Sequence, residues 1–291
     1  MHHPINFSFD EEVSSFLKES PEFTMDMIHP HLDNHLAQRG FPILIHNVDL
    51  LNQEEFAESR SKTFGASDAP VLLGVAYSSA KVPMKTVEEL LFEKANKVWD
   101  EEIGKKAAVR KGRELEPMLI DKVSKSIDGI VIKPQHTYWN ENGLATNFDG
   151  VVMECHEREE QSLLDCYHPV PMEIKVCSFF GRANYNWNKG IHELDENLKN
   201  KLAKDYKYVP SSKVTIAEHI IEMSNLIGIP KYYYVQVQQQ IHFLDAPHGY
   251  LAVMDDINWD MYYYKVPKDE RTINTLLEKT NKVYKMLQQM L

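Results

Sequence analysis

Cysteine is scarce. Cys155, Cys166 and Cys177 are the only three, odd in number, and no Cys-x-x-Cys pair occurs. That excludes a disulfide framework and a zinc knot, and it suits a reducing cytosol. Long hydrophobic runs are missing as well. The longest, Phe41-Pro-Ile-Leu-Ile45, falls far short of the roughly 18 apolar residues that span a bilayer, so no membrane partner is expected. Asp10, Glu11 and Glu12 interrupt any basic-then-apolar leader, so no secretory signal is expected either. Repeats and low-complexity tracts are absent. An excess of positive charge is absent too: the net charge is −11, which on its face disfavours nucleic acid.

The distribution of charge removes that objection. Residues 1–60 hold 11 Asp/Glu against three Lys/Arg, a local balance of −8, which leaves −3 for the remainder. The body of the chain is near neutral, and global charge does not exclude DNA. With 43% hydrophobic and 26% charged residues in 291, the chain is long enough for one large domain or two modest ones with a real core.

Periodicity sets out the elements. An amphipathic helix is expected near Glu11–Lys18. Ser67 reads as an N-cap with Pro70 in the first turn and Gly74 past the end. Helices are expected over Thr86–Val98 and Val109–Ser126. The period then shortens to two over Ile130–Ile132, Thr137–Trp139, Val151–Met153 and Met172–Val176, with 154–169 read as a long hairpin loop. Ser211–Leu226 and Tyr232–Phe243 read as helices, Tyr250–Met254 and Met261–Val266 as strands, and Asp269–Leu291 as a closing amphipathic helix. Helices, a sheet, then further helices and strands predict an α/β (α+β) layered fold.

The residues that promise chemistry are Asp149, Glu173 and Lys175. Gly150 after Asp149 permits close approach of another group. Glu173 and Lys175 lie two apart on a predicted strand and so share a face. Asp149 and Glu173 offer hard oxygen ligands for Mg²⁺, and the Ile174 carbonyl offers another. Lys175 can orient or deprotonate a water, and a metal can acidify that water and neutralise charge on a phosphoryl oxygen. Taken alone, Asp…Glu-x-Lys also fits a surface ion pair on a half-exposed strand. His29, His31 and His35 could ligate a metal at helical spacing or simply be solvated. The run Tyr232–Tyr234 could stack on bases, though three in a row cannot face one way on a helix. Lys199, Lys201, Lys204 and Lys207 could track a phosphate backbone or line a solvated face.

Context decides between these readings. In order along the chain stand Gly65-Ala-Ser-Asp68 with Leu73-Gly74, Gly112-Arg-Glu-Leu-Glu116-Pro117, Phe148-Asp149-Gly150, Glu173-Ile-Lys175, and Tyr232-Tyr-Tyr-Val-Gln236-Val-Gln238-Gln-Gln240. From Arg60 to Asp255 this set resembles the lambda-exonuclease and YqaJ-like viral recombinase branch of the PD-(D/E)xK nuclease superfamily. The resemblance implies a restriction-endonuclease-like fold, a central mixed sheet flanked by helices. It implies that Glu116, Asp149, Glu173 and Lys175 form the metal and catalytic centre, with Gln236 in support and Glu114 a competitor for the Glu116 role. It implies that Arg60 and Ser67, seven positions apart, bind a 5′-phosphate. The implied activity is a phage-type DNA exonuclease, dependent on Mg²⁺ or Mn²⁺, running 5′ to 3′ from the ends of linear duplex. The implied partners are double-stranded DNA ends, further copies of the chain in a ring-like trimer or tetramer, and a phage single-strand annealing protein, all in the cytosol of a bacterial host.

Some features depart from the pattern. Val176 and Cys177 follow Glu-x-Lys where the family often has Cys-Pro. Asp149 and Glu173 stand 24 positions apart. Insertions are expected near 154–170 and 190–228, and the division expected is an acidic extension over 1–55 and a nuclease domain over 56–291. The rival readings are an endonuclease with the same centre and a non-catalytic DNA-end-binding protein on a decayed nuclease fold.

Overall fold

The computed structural model describes residues 25–45, 53–75, 85–98, 107–126, 130–155, 167–177, 179–192 and 214–291. In chain order the elements are α1 (Met25–Gln38), β1 (Ile43–Ile45), α2 (Gln53–Ser61), α3 (Ala69–Leu72), α4 (Val87–Ala95), α5 (Ala107–Ser126), β2 (Ile130–Ile132), β3 (Thr137–Trp139), β4 (Ala145–Thr146), β5 (Gly150–Cys155) and β6 (Tyr167–Cys177). A 3-10 turn (Phe179–Asn184) follows, then β7 (Ile191–His192), α6 (Ile216–Ile227), α7 (Lys231–Leu244), β8 (His248–Asp255), β9 (Met261–Pro267) and α8 (Glu270–Met290). The expected helix at Glu11–Lys18 and the lysine-rich stretch 199–208 lie outside the described residues.

Local chemistry explains the boundaries. Thr86 and Thr215 each close a capping box with the glutamate three positions on, starting α4 and α6. Asp269 caps α8 by accepting from the amides of Arg271 and Thr272. Gly228, with φ +93°, ends α6 in the left-handed conformation that glycine tolerates best. At α3 the structure corrects the expected cap. Asp68, not Ser67, occupies the N-cap, and its side chain makes no capping bond because it serves other partners. The strands also run longer than their apolar cores suggest: Glu154 and Cys155 belong to β5 and residues 167–169 to β6, so the hairpin loop expected from 154 begins later.

The main sheet has the order β2-β5-β6-β8-β9-β7, with β6 and β8 parallel and the other pairs antiparallel. It is a mixed sheet flanked by helices, as the sequence predicts. Strand β6 changes partner along its length. Tyr167–Met172 pair with β5, whereas Met172–Cys177 pair with β8. Pro169 and Pro171 fall in the first half, before the β8 ladder begins, where a missing N–H on that side leaves no rung broken. Beyond Met172 the side of β6 that β5 had covered carries no strand partner among the described residues.

One face of the sheet packs on α1 and α5 through Ile28, Leu32, Leu36, Leu119 and Val123. The other packs on α3, α4, α6, α7 and α8, with Val235, Val237 and Ile241 of α7 at its centre. Helix α7 lies close on β8, and a Cβ added to Gly249 would stand 2.7 Å from Val237 Cγ1. Helix α1 and strand β1 belong to this body, although the sequence sets residues 1–55 apart as an extension: β1 pairs with β3 in a small sheet, order β1-β3-β4. Helix α6 likewise buries Ile220, Met223 and Ile227 in the core.

Candidate active site

Alternation along β6 brings Glu173 and Lys175 to the face that α7 covers, and they meet. Lys175 Nζ stands 2.6 Å from Glu173 Oε1 and 3.4 Å from Asp149 Oδ2. Asp149 precedes β5 at the point where β6 loses its β5 partner, and its Oδ2 accepts from the Ile174 amide at 3.0 Å. The carboxylate therefore satisfies a backbone donor that the ladder leaves open. From α7, Gln240 Nε2 donates to the other Glu173 oxygen at 2.6 Å. Glu173 is buried, while the Asp149 and Lys175 side chains keep 29% and 26% of their surface in solvent, so the group opens outward from Glu173.

Two carboxylates share one ammonium, which leaves one negative charge in excess. Burial and the neighbouring Asp149 charge together push the Glu173 carboxyl above the usual carboxylate range, although Lys175 and Gln240 favour its ionised form. Burial disfavours the charge on Lys175, but Asp149 and Glu173 outweigh it and hold that pKa well above the ordinary lysine value. Lys175 is thus a donor and a fixed positive charge. Such a group can donate to a water or to an anionic oxygen and is unsuited to taking up a proton.

The donor set suits a hard divalent cation. Asp149 and Glu173 bring carboxylate oxygens and an unbalanced charge. In a strand the N–H and C=O of one residue point to the same side, so the Ile174 carbonyl faces the side on which its N–H meets Asp149. A hard ion held by two carboxylates and a carbonyl would complete its shell with water. Among the described residues no three His, Cys, Asp or Glu side chains form a metal-holding group. Glu116, half-buried on α5, pairs with Lys133 at 3.1 Å.

The other residues singled out by sequence fall as follows. Gln236 is half-buried on α7, one turn before Gln240. Gln240, which the motif does not single out, is the amide bonded to Glu173. Its signal was the unbroken run Gln238-Gln-Gln240 inside an apolar helix: three neighbouring polar positions cannot all face water there. Each of the three has its own task. Gln238 bonds the Pro267 carbonyl and the Asp269 amide, Gln239 bonds the Ala145 carbonyl, and Gln240 bonds Glu173.

Tyr232 and Tyr234 are buried, and Tyr234 donates to Asp269 at 2.7 Å. Tyr233 lies beneath Lys175, with Nζ 5.6 Å from its ring centroid. Arg60 Nη2 donates to Ser67 Oγ at 2.9 Å, so the predicted pair is in contact. Among the histidines, His35 bonds the Leu244 carbonyl at 3.1 Å. Cys177 is buried in the core, and burial with nearby Asp256 pushes its thiol up to about 11, far from a reactive thiolate. No helix among the described residues is long and apolar enough to cross a membrane.

Comparison with known proteins adds the family. The YqaJ-like viral recombinase domain matches residues 55–246, two-thirds of the chain. No curated protein matches the chain in sequence. Among solved structures it is similar to the alkaline exonuclease LHK-Exo of Laribacter hongkongensis, at 15% identity over 81% of this chain and 93% of that one, with a TM-score of 0.48. The same exonuclease in complex with dAMP matches at 14% identity over the same shares, with a TM-score of 0.47. SSO0001 matches more loosely, at 10% identity over 89% of this chain and 86% of that one, with a TM-score of 0.33.

Proposed function

Because the chain belongs to the YqaJ-like viral recombinase family, we propose that its Asp149–Glu173–Lys175 centre is that of a divalent-metal-dependent DNA exonuclease. The observation that carries this reading is the meeting of two carboxylates and a protonated lysine at the open side of β6, with Gln240 fixing the buried carboxylate. Asp149, Glu173 and the Ile174 carbonyl would hold Mg²⁺, with Mn²⁺ as a substitute. When bound, the ion supplies an acidified water and neutralises charge on the phosphoryl group. Lys175 donates to the attacking water or to a non-bridging oxygen, and Gln240 keeps Glu173 in one rotamer so that its second oxygen stays toward the lysine. Gln236, one turn before Gln240 on α7, and Glu116, on α5 beside Lys133, are assigned supporting places.

The finer reading is 5′-to-3′ digestion from the ends of linear duplex. Arg60 and Ser67 would receive the terminal phosphate, and the exposed strand would pass to a phage single-strand annealing protein in the host cytosol. A ring-like trimer or tetramer would keep the enzyme on its track. End-labelled linear duplex, incubated with Mg²⁺ or with EDTA, tests the whole of it. Release of label from the 5′ end, only with metal, is expected. Cutting of a covalently closed circle would favour the endonuclease rival, and intact linear DNA would favour the non-catalytic one. Lys175→Ala should lose cleavage while keeping its far-ultraviolet circular dichroism and its DNA binding.

A further inference from the structure

Lys94 of α4 lies outside the carboxylate centre, yet it is buried, with 6% of its surface exposed. Its Nζ donates to Asp68 Oδ2 at 2.9 Å, to the Arg60 carbonyl at 2.9 Å and to the Thr63 carbonyl at 2.6 Å. A lysine has three N–H donors, so all of them are engaged. Asp68 Oδ2 also accepts from the Gly65 amide at 3.0 Å, and Oδ1 stands 3.8 Å from Arg60 Nη2. The same Nη2 donates to Ser67 Oγ at 2.9 Å. Arg60 therefore stands between an exposed hydroxyl and a buried carboxylate. Asp68 already has a closer cation in Lys94, at 2.9 Å against 3.8 Å for Arg60.

We propose that Lys94 is a positioning residue for DNA-end recognition: as counterion to Asp68, it keeps the Arg60 guanidinium on Ser67, toward solvent, where a terminal phosphate monoester can reach both. The proposal rests on the reading of Arg60 and Ser67 as the end anchor. Remove the ammonium, and Asp68 is a buried carboxylate whose remaining cation, among the described residues, is Arg60. The guanidinium then moves the short way onto Asp68 and is lost to the phosphate. The Arg60 and Thr63 carbonyls lose a donor at the same time. Both cations and the lone carboxylate sum to one positive charge, which suits an anionic ligand.

The test compares initial digestion rates on 5′-phosphorylated and 5′-hydroxyl duplexes. The proteins are wild type, Arg60→Ala, Lys94→Met, and Lys94→Met combined with Asp68→Asn. Wild type should prefer the phosphate, and Arg60→Ala should abolish the preference. Lys94→Met should lower the preference about tenfold, the size of one hydrogen bond to a charged group. The double variant should recover most of it, because no carboxylate remains to draw Arg60 away. A merely structural lysine predicts the opposite, a double variant no better than the single.

An unchanged ratio in Lys94→Met, or no recovery in the double, overturns the proposal while leaving the anchor reading intact. No preference in wild type, or its survival in Arg60→Ala, overturns the anchor reading and the proposal with it. If Lys94→Met fails to fold, Asp68→Asn alone decides: a ratio at or above wild type supports the proposal, and a lowered ratio overturns it.

Discussion

At the scale of single residues, the centre is an unequal division of charge. Glu173 is an anion buried beside another anion, and among the described residues Lys175 and the amide of Gln240 favour it, as an added cation would. Removing the Glu173 charge should therefore cost activity and not stability. Glu173→Gln is expected to lose cleavage yet to melt at or above the wild-type temperature at neutral pH, since an uncompensated buried charge is gone. Thermal melts with and without Mg²⁺ check this, and the metal should raise the wild-type melting temperature more than that of the variant. Gln240→Leu should keep the fold but free Glu173 to turn. We expect the Mg²⁺ midpoint or the cleavage rate to worsen about 10–100-fold, as for the loss of an outer partner of a metal ligand. The shared face of Glu173 and Lys175 was legible because strand alternation is a local property. Gln240 was not, because its partner is 67 positions away and only the packing of α7 on β6 brings them together. The N-cap of α3 was misplaced for a related reason: Asp68 is recruited by Lys94, a partner that nothing nearby in sequence reveals.

At the scale of elements, positions and types were mostly legible and ends were not. Apolar periodicity marks where a strand or helix is buried, but ladder bonds continue past the buried part, as at Glu154 and Cys155 of β5. The partner change of β6 was written in Pro169 and Pro171, whose meaning appears only once the neighbouring strands are known. The contact of α7 with β8 depends on the bare backbone of Gly249. Gly249→Ala should cost roughly 1–3 kcal/mol by overpacking against Val237, read from urea unfolding, without altering which products are made.

At the scale of the whole molecule, α7 is the member that ties the rest together. Its consecutive glutamines fasten the start of α8, the β4 hairpin that Phe64 bridges, and the buried carboxylate. Its far end is held by α1. Arg39, just past α1, donates to the carbonyls of His242 and Phe243, and His35 of α1 to that of Leu244, so donors from the end of α1 satisfy the last turn and oppose its dipole. Acidic charge in residues 1–60 concealed this role, because composition reports solvation and not docking.

The junction has a pH signature. Burial, with help from Arg39 and Lys268, lowers His242 to about 4 from 6.5. Above 6.5 both folded and unfolded chains carry it neutral. As pH falls from 6.5 toward 4, the unfolded chain binds a proton that the folded chain refuses, so stability is lost over that window. His242→Gln should show a smaller drop in melting temperature across the same range.

The flank of β6 that lacks a strand neighbour among the described residues has one more consequence. A strand without a neighbour ordinarily invites another chain to add itself as the next strand, the first step toward clumping. Here the first unshared amide is already taken by the Asp149 carboxylate, and the side chains beside it are charged. An intruding polypeptide would have to displace an anion and lay its own carbonyls against it, which like charge discourages. The same charges that discourage an added strand would, across a bridging cation, suit the polymer of phosphates proposed as substrate.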